Sequence, residues 1–549
     1  MLYILTIILS FTYIYLTKQW DFFWRFTEAF YWGQLYYVVD RTKMGFKTAA
    51  EMLVGDEITI FLPVIILFIL ILLSPLFSRR ISPNYFKLVS FSIFIFIFIQ
   101  YMFIFCYHAS STNINYFLYK TFYISNLFNF NVSFGVDNFT IFFLLLTSLL
   151  FRFCILINWE YKFVDFRKFI VLISILDISL ICAFMSTNLF FFFFFFEITL
   201  IPMYFIINLW GSRTRKVHAG FYFFMYTAFG SIFLLLGILL LYSMFKTTDI
   251  RVLSNSYISY ERQILLWVLF FIGFSIKIPL PPFHLWLPEA HVEAPTSGSV
   301  ILAGVLLKLG SYGMLRFMLP IYYYANYFFL PLVYAICCIS IVYISCIAIR
   351  QTDLKKIIAY SSIAHMSFVV IGLFSCNLEG LQGSIFLMIS HGIVSAALFS
   401  CIGILYERKG TRNILYLKNL CNEMPVFSFF FFIFILANIG FPLTSGFIGE
   451  FIVINSVGAV NIFVAVLLAF STILTSVYSF WLFSRIFFYT LPFSKKLDCG
   501  GRDLNKKEFF ICFGLCLFTI LLGVFPNFIL DKTECLSLFY LNKMFISSI

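Results

Sequence analysis

The chain has 549 residues, of which 62% are hydrophobic and only 11% charged, with a formal net charge of +12. Such apolarity excludes a soluble globular protein and fits an all-α protein that crosses a membrane many times. In a soluble chain the positive balance would suggest nucleic acid. Here the cations fall in short loops between apolar segments, so topology explains them and no nucleic-acid partner is expected.

Residues 1–17 are apolar but lack a basic leader region and a small-residue cleavage site. They read as a retained segment, a candidate extra N-terminal helix. Residues 18–57 mix Lys, Arg, Asp and Glu with Trp20, Trp24 and Trp32, as an interfacial extension would. Apolar windows of about 20 residues then follow near 58–78, 86–107, 137–158, 167–186, 188–210, 218–243, 264–282, 297–318, 327–349, 355–375, 382–405, 427–453, 458–489 and 508–529. The chain therefore divides into an extension (1–57), a membrane domain (58–530) and a C-terminal tail (531–549).

Positive clusters follow every second span. They are Arg79 and Arg80; Lys162, Arg167 and Lys168; Arg213, Arg215 and Lys216; Arg350, Lys355 and Lys356; Arg408, Lys409, Arg412 and Lys418; and Lys495, Lys496, Arg502, Lys506 and Lys507. The positive-inside rule places these loops on the cytoplasmic or matrix side. One loop on that side, 283–296, departs from the pattern and carries Glu289, His291 and Glu293.

Residue-type bias has a bland reading. The 79 Phe and 32 Tyr, including the run Phe190 to Phe196, fit codon bias in an AT-rich genome better than an aromatic binding role. The 13 Cys are scattered through apolar segments without zinc or cluster spacing, so they read as small apolar fillers and imply no redox cofactor.

Chemistry is carried by ionisable residues inside the spans. Lys277 ends an apolar run and is followed by Pro279, Pro281 and Pro282. A lysine at membrane depth costs roughly 2.5–3.5 kcal/mol on insertion scales. The prolines break the helix and free its carbonyls, which is how ion sites are built in transporters. A second break lies at Gly440-Phe441-Pro442 and precedes Glu450. The two breaks are five spans apart, an odd offset that relates two repeats by inversion. Glu197, Lys308, His365 and His391 are further intramembrane ionisable residues. Together with Lys277 and Glu450 they form a proton relay in chain order. Burial disfavours a charged lysine and a nearby carboxylate favours it, so movement of Glu197 relative to Lys277 would switch the lysine between holding and releasing a proton. Each histidine is as well suited to bridging helices by hydrogen bonds. Arg152 and Asp177 read as neighbour-paired or snorkelling, and Asp137 as a helix cap.

These residues carry a resemblance. Glu197 with Pro202, Trp210 and Gly211; Lys277 with its proline-rich break, His284 to Pro288 and Glu293 to Pro295; Lys308 with Gly310; Asp353 to Ser362 with His365 and Met366; and Gly449 to Phe451 resemble the antiporter-like subunits of respiratory complex I over about residues 58 to 530. The resemblance implies about 14 transmembrane helices in two inverted five-helix repeats, each with one discontinuous helix. It implies proton translocation driven by quinone reduction elsewhere in the complex. Glu197 and Lys277 would be an ion pair, Lys308 the central relay, His365 and His391 the bridge, and Glu450 the terminal site. NAD, FMN, iron–sulfur clusters and ubiquinone would belong to partner subunits, with none held in this chain. Chains 2 and 5 of the family carry lysine at the second break, so Glu450 sets this chain apart from them; the resemblance also implies other membrane-arm subunits as partners, especially the chain 2 and chain 5 homologues. The implied location is the mitochondrial inner membrane, with a bacterial plasma membrane or a plastid thylakoid membrane as alternatives. Two further readings stay open: a subunit of a multi-subunit Na⁺/H⁺ antiporter, and a structural subunit that does not pump.

Overall fold

The structure, a computed structural model, describes residues 61–75, 83–108, 118–125, 130–160, 163–488 and 503–546. The extension 1–57 lies outside the described residues, as do Arg79, Arg80, Lys162, Lys495, Lys496 and Arg502. In chain order the main helices are α1 (Leu62–Leu73), α2 (Pro83–His108), α3 (Thr140–Ile157), α4 (Phe163–Met185) and α5 (Leu189–Trp210, with a turn at Thr199). There follow α6 (Lys216–Phe245), α7 (Tyr260–Lys277), α8 (Trp286–Glu293), α9 (Thr296–Ile321), α10 (Leu330–Arg350), α11 (Leu354–Phe374) and α12 (Leu378–Lys409). The series closes with α13 (Pro425–Ile439), α14 (Ser445–Gly458), α15 (Ile462–Phe487), α16 (Lys506–Val524) and α17 (Asn527–Ile546). Among the described residues, 11 helices are long and apolar enough to cross a membrane, and α1, α13 and α14 are shorter apolar helices.

Burial separates these helices into two groups. The candidate spans in α9 and α12 are wholly buried, and those in α3 and α11 nearly so. By contrast α6, α10 and α15 expose apolar residues such as Phe229, Ile339 and Val466. A helix that is apolar all round and half exposed suits a lipid-facing position. The central helices approach closely where side chains are absent. A Cβ on Gly392 would lie 3.0 Å from the Gly304 carbonyl oxygen, and one on Gly273 would lie 3.0 Å from that of Gly230. Small residues at such crossings let backbones meet without lipid between them.

The polar contacts sort into two ends. At one end Arg213 pairs with Asp353 (3.0 Å), Lys356 with Glu289 (2.9 Å), Arg408 with Glu508 (2.6 Å) and Lys507 with Glu160 (2.6 Å). The Lys355 ammonium donates to the Ala294 carbonyl (2.6 Å), and the Ser212 N–H donates to the Glu293 carbonyl (3.0 Å). The acidic character of 283–296 is explained in part, because Glu289 supplies the counter-ion of Lys356 in the first turn of α11. Glu160 lies outside the spans. Its hydrogen bond from Lys507 holds it below the ordinary carboxylate range, although its exposure keeps the pair weak.

The other end is poorer in cations and is closed by two elements that the apolar windows do not reveal. Strands β1 (Leu118–Ser125) and β2 (Phe130–Val136) form an antiparallel hairpin with Leu118 opposite Val136. The hairpin docks on the loop after α4, where the Thr187 N–H donates to the Ser133 carbonyl (3.0 Å). Arg251 adds to this by lying over the Tyr119 ring at 4.1 Å. The stretch assigned to a C-terminal tail is helical as far as Ile546 and packs against the start of α12, where Gln382 donates to the Leu530 carbonyl (3.2 Å).

The shared end generates a topology test. Single cysteines placed at Arg213, Lys356 and Lys409, on a background whose native cysteines are replaced, should all react with an impermeant thiol reagent from the cytoplasmic or matrix side alone. Labelling of any one of them from the opposite side breaks this topology.

Candidate functional site

The chain is interrupted at two places between apolar helices. Helix α7 stops at Lys277, and helical structure resumes at Trp286. The prolines forbid continuation, since each lacks a donor and its ring clashes with the preceding turn. Trp286 crosses the gap and donates its indole N–H to the Ile276 carbonyl (2.9 Å), which gives one freed acceptor a partner. Helix α13 stops at Ile439 and α14 starts at Ser445. Here Gly440 adopts φ +77° and Leu443 φ +70°, a left-handed conformation that costs non-glycine residues roughly 1–2 kcal/mol.

Lys277 is 2% exposed, and its Nζ has no hydrogen-bond partner among the described residues. It lies over the ring of Phe196, 4.0 Å from the centroid. Cation–π attraction of this kind is worth about 2 kcal/mol when desolvated. One ring of the phenylalanine run therefore does more than composition suggests, and the only signal for it was its place next to Glu197. Glu197 is half-buried and within electrostatic reach of Lys277, but the two form no direct ion pair. One carboxylate oxygen, Oε1, is buried without a partner among the described residues. The expected pair is thus separated, with an aromatic face beside the lysine.

Four residues from four helices come into line. Lys308 on α9 is 0% exposed, and its Nζ lies 2.7 Å from Nδ1 of His391 on α12. The His391 ring faces that of His365 on α11, with centroids 5.5 Å apart. His365 Nδ1 lies 3.1 Å from Glu450 Oε1 on α14. The second break makes room for this carboxylate, because a Cβ on Gly440 would lie 2.6 Å from Glu450 Oε2. Both histidines leave Nε2 without a hydrogen bond among the described residues, and both are at most 5% exposed. Buried ring nitrogens in that state call for water.

One further residue belongs with this line although the sequence reading left it in a loop. His291 on α8 is fully buried and stacks on Phe399 of α12 at 4.6 Å. Neither of its ring nitrogens has a partner among the described residues, and Lys308, His391 and Lys355 are all within electrostatic reach. Its spacing from Lys308 along the chain gave no sign of this, because α8 and α9 are joined by a turn rather than a continuous helix. The remaining candidates stand apart. Arg152 lies over Phe98 at 4.5 Å, and Asp177 has both oxygens unpartnered among the described residues. Asp137 caps α3 by accepting from the N–H groups of Phe139 (3.1 Å) and Thr140 (2.9 Å), and it also pairs with buried Arg316. Among the described residues no cluster of His, Cys, Asp or Glu could hold a metal ion.

A line of buried bases and acids, in contact from Lys308 to His391 and from His365 to Glu450 with the two imidazole rings adjacent, has the chemistry to pass protons from one helix to the next. Comparisons with known proteins give the family. Residues 186–475 match the family described as NADH:quinone oxidoreductase/Mrp antiporter. The chain is 51% identical over 416 residues to NADH-ubiquinone oxidoreductase chain 4 of Acanthamoeba castellanii, covering 76% of this chain and 83% of that one. It is 42% identical over 476 residues to the chain 4 of Chondrus crispus, covering 86% and 95%. A chain of respiratory complex I from Thermus thermophilus with bound NADH shares its fold, with a TM-score of 0.79 at 24% identity over 88% of this chain and 100% of that one. So does a chain of the Mrp complex from Dietzia sp., with a TM-score of 0.77 at 19% identity over 92% and 99%. With its apolar bundle, two helix breaks and buried ionisable line, the chain belongs to the antiporter-like, proton-translocating membrane subunits of NADH:quinone oxidoreductase and, within them, to the chain 4 family.

Proposed function

We propose that this chain moves protons laterally through Lys277, Lys308, His391, His365 and Glu450, with Glu197 setting the charge of Lys277. The observation that carries the reading is the run of contacts from Lys308 to His391 (2.7 Å), across the histidine pair, and from His365 to Glu450 (3.1 Å). Each step hands a proton between groups that burial makes reluctant to hold charge alone. When Glu197 is ionised and near, the Lys277 ammonium is favoured. When it withdraws, desolvation releases the proton toward Lys308. His391 and His365 accept and donate through opposite ring nitrogens, so water at the Nε2 atoms would complete the path. Glu450 is the last acceptor. His291 offers a branch from the cation-rich end, because Lys355, Lys308 and His391 are all within electrostatic reach of its ring.

The two breaks support an architecture of about 14 spans in two inverted five-helix repeats, α4 to α9 and α10 to α15, with α7–α8 and α13–α14 each counted as one discontinuous helix. Membrane-arm subunits of the same complex are its partners, and we place the chain 2 and chain 5 homologues among them. NAD, FMN, iron–sulfur clusters and ubiquinone then belong to other subunits. The identity to chain 4 relatives favours the inner mitochondrial membrane.

Four sets of variants test the relay in assembled complex, with assembly verified on a native gel. Glu197→Ala and Lys277→Ala should each reduce protons moved per NADH oxidised to a small fraction of wild type. Glu450→Ala should do the same, while Glu450→Lys keeps part of the activity. Wild-type stoichiometry in both Glu197→Ala and Lys277→Ala would make these charges structural. His291→Phe should keep the stack on Phe399 and preserve assembly, yet slow pumping several-fold. An unchanged rate removes the branch. Gly440→Ala should lower stability by roughly 1–2 kcal/mol through its positive φ and displace Glu450, which thermal melting of the complex and proton stoichiometry would both register.

A further inference from the structure

Helix α9 is not a uniform α-helix. Between Thr296–Ile301 and Leu307–Gly313 it contains a π-helical turn, Leu302–Leu306, in which the Leu307 N–H reaches back to the Leu302 carbonyl. Lys308 begins just beyond that turn. Long helical side chains lean toward the helix N-terminus and lie over the preceding turn, so the lysine lies against the widened segment. Its Nζ donates to the Ala303 carbonyl, five residues back, at 2.6 Å. The same turn contains Gly304, which meets Gly392 one residue beyond His391. A Cβ on Gly392 would be 3.0 Å from the Gly304 carbonyl, and a Cβ on Gly304 would be 2.3 Å from Leu150 Cδ1. The turn is thus wedged between α3 and α12, and the lysine bound to it is aimed at His391 Nδ1.

We propose that the π-turn Leu302–Leu306 is a positioning device for the proton relay, holding the Lys308 ammonium between the Ala303 carbonyl and His391 so that the proton passes to the α12 histidine in one geometry. A π-turn carries one more residue than the α-turn it replaces and is stable only where packing repays the poorer geometry. Here the packing is the Gly304–Gly392 approach on one side and Leu150 on the other. The Ala303 oxygen fixes the ammonium without supplying a counter-charge. The lysine is therefore oriented but not locked into its charged form, as a carboxylate at the same place would lock it. Gly304 and Ala303 act through Lys308 and touch no transferred proton, so they are positioning residues. This inference rests on the relay reading but can fail separately from it.

The experiment compares Gly304→Ala, Leu150→Ala and the double variant Gly304→Ala/Leu150→Ala in purified, reconstituted complex. It reads protons per NADH, the pH profile of coupled turnover and native-gel assembly. The added methyl of Gly304→Ala should push the turn off Leu150, part Lys308 from His391, and lower proton stoichiometry several-fold with a shifted pH profile. The double variant removes the obstructing Leu150 branch and should restore both toward wild type, while Leu150→Ala alone stays close to wild type. Full stoichiometry in Gly304→Ala overturns the proposal. So does a double variant that assembles without recovering, or failure of both Gly304 variants to assemble, since the turn would then serve helix packing rather than lysine position. If the Glu197, Lys277 and Glu450 variants stall pumping while Gly304→Ala does not, the relay stands and the π-turn role alone falls.

Discussion

A charged group taken out of water must find a substitute for its hydration, and the Lys308 ammonium, which is fully buried, sets that requirement for the centre of this protein. Among the described residues no carboxylate meets it directly. Its partners are a main-chain carbonyl at 2.6 Å and an imidazole nitrogen at 2.7 Å. Both stabilise the ammonium less than a carboxylate would. That difference suits a group that must give its proton away, because a strong ion pair would hold the charged state. Lys277 follows the same logic with a different partner: an aromatic face at 4.0 Å attracts the cation, while Glu197 stays within electrostatic reach but out of contact.

The rest of the bundle serves the placement of these groups. Glycines at the α9–α12 crossing bring two backbones together, so that side chains from both helices can meet. At the second break Gly440 supplies a positive φ and empties the space that Glu450 Oε2 fills. One glycine thus satisfies a backbone requirement and a side-chain requirement at the same point. Around this polar line the helices are apolar, and the outermost ones present apolar faces suited to lipid.

The ends of the bundle follow ordinary surface electrostatics. Ion pairs between different elements gather at the cation-rich end, where Glu289 pairs with Lys356 of α11 and the Ala294 carbonyl accepts from Lys355. At the opposite end the hairpin and α17 brace the helix termini. Arg316 joins these two elements to the relay helix, since it pairs with Asp137 at the hairpin exit and donates to the Tyr540 hydroxyl (3.1 Å) on α17. The termini of α3, α9 and α17 are therefore tied through one buried guanidinium.

The sequence by itself determined the membrane class, the apolar helical windows, the two breaks and the identities of the ionisable residues. Each of these depends on local composition or on a residue whose backbone chemistry is fixed, as with Pro279 and Pro282. It also showed that Glu450 marks the second break. What it could not determine is which ionisable residues touch. Glu197 and Lys277 lie within electrostatic reach of each other, but no direct ion pair joins them among the described residues. His365 and Glu450, 85 positions apart in the chain, do make contact. The hairpin, the helical tail, the π-turn beneath Lys308 and the approach of His291 to the relay were likewise decided by tertiary packing. Periodicity reports which face of a helix is apolar, but the rotation and depth at which two helices cross are set by the small residues on both of them, far apart in the chain.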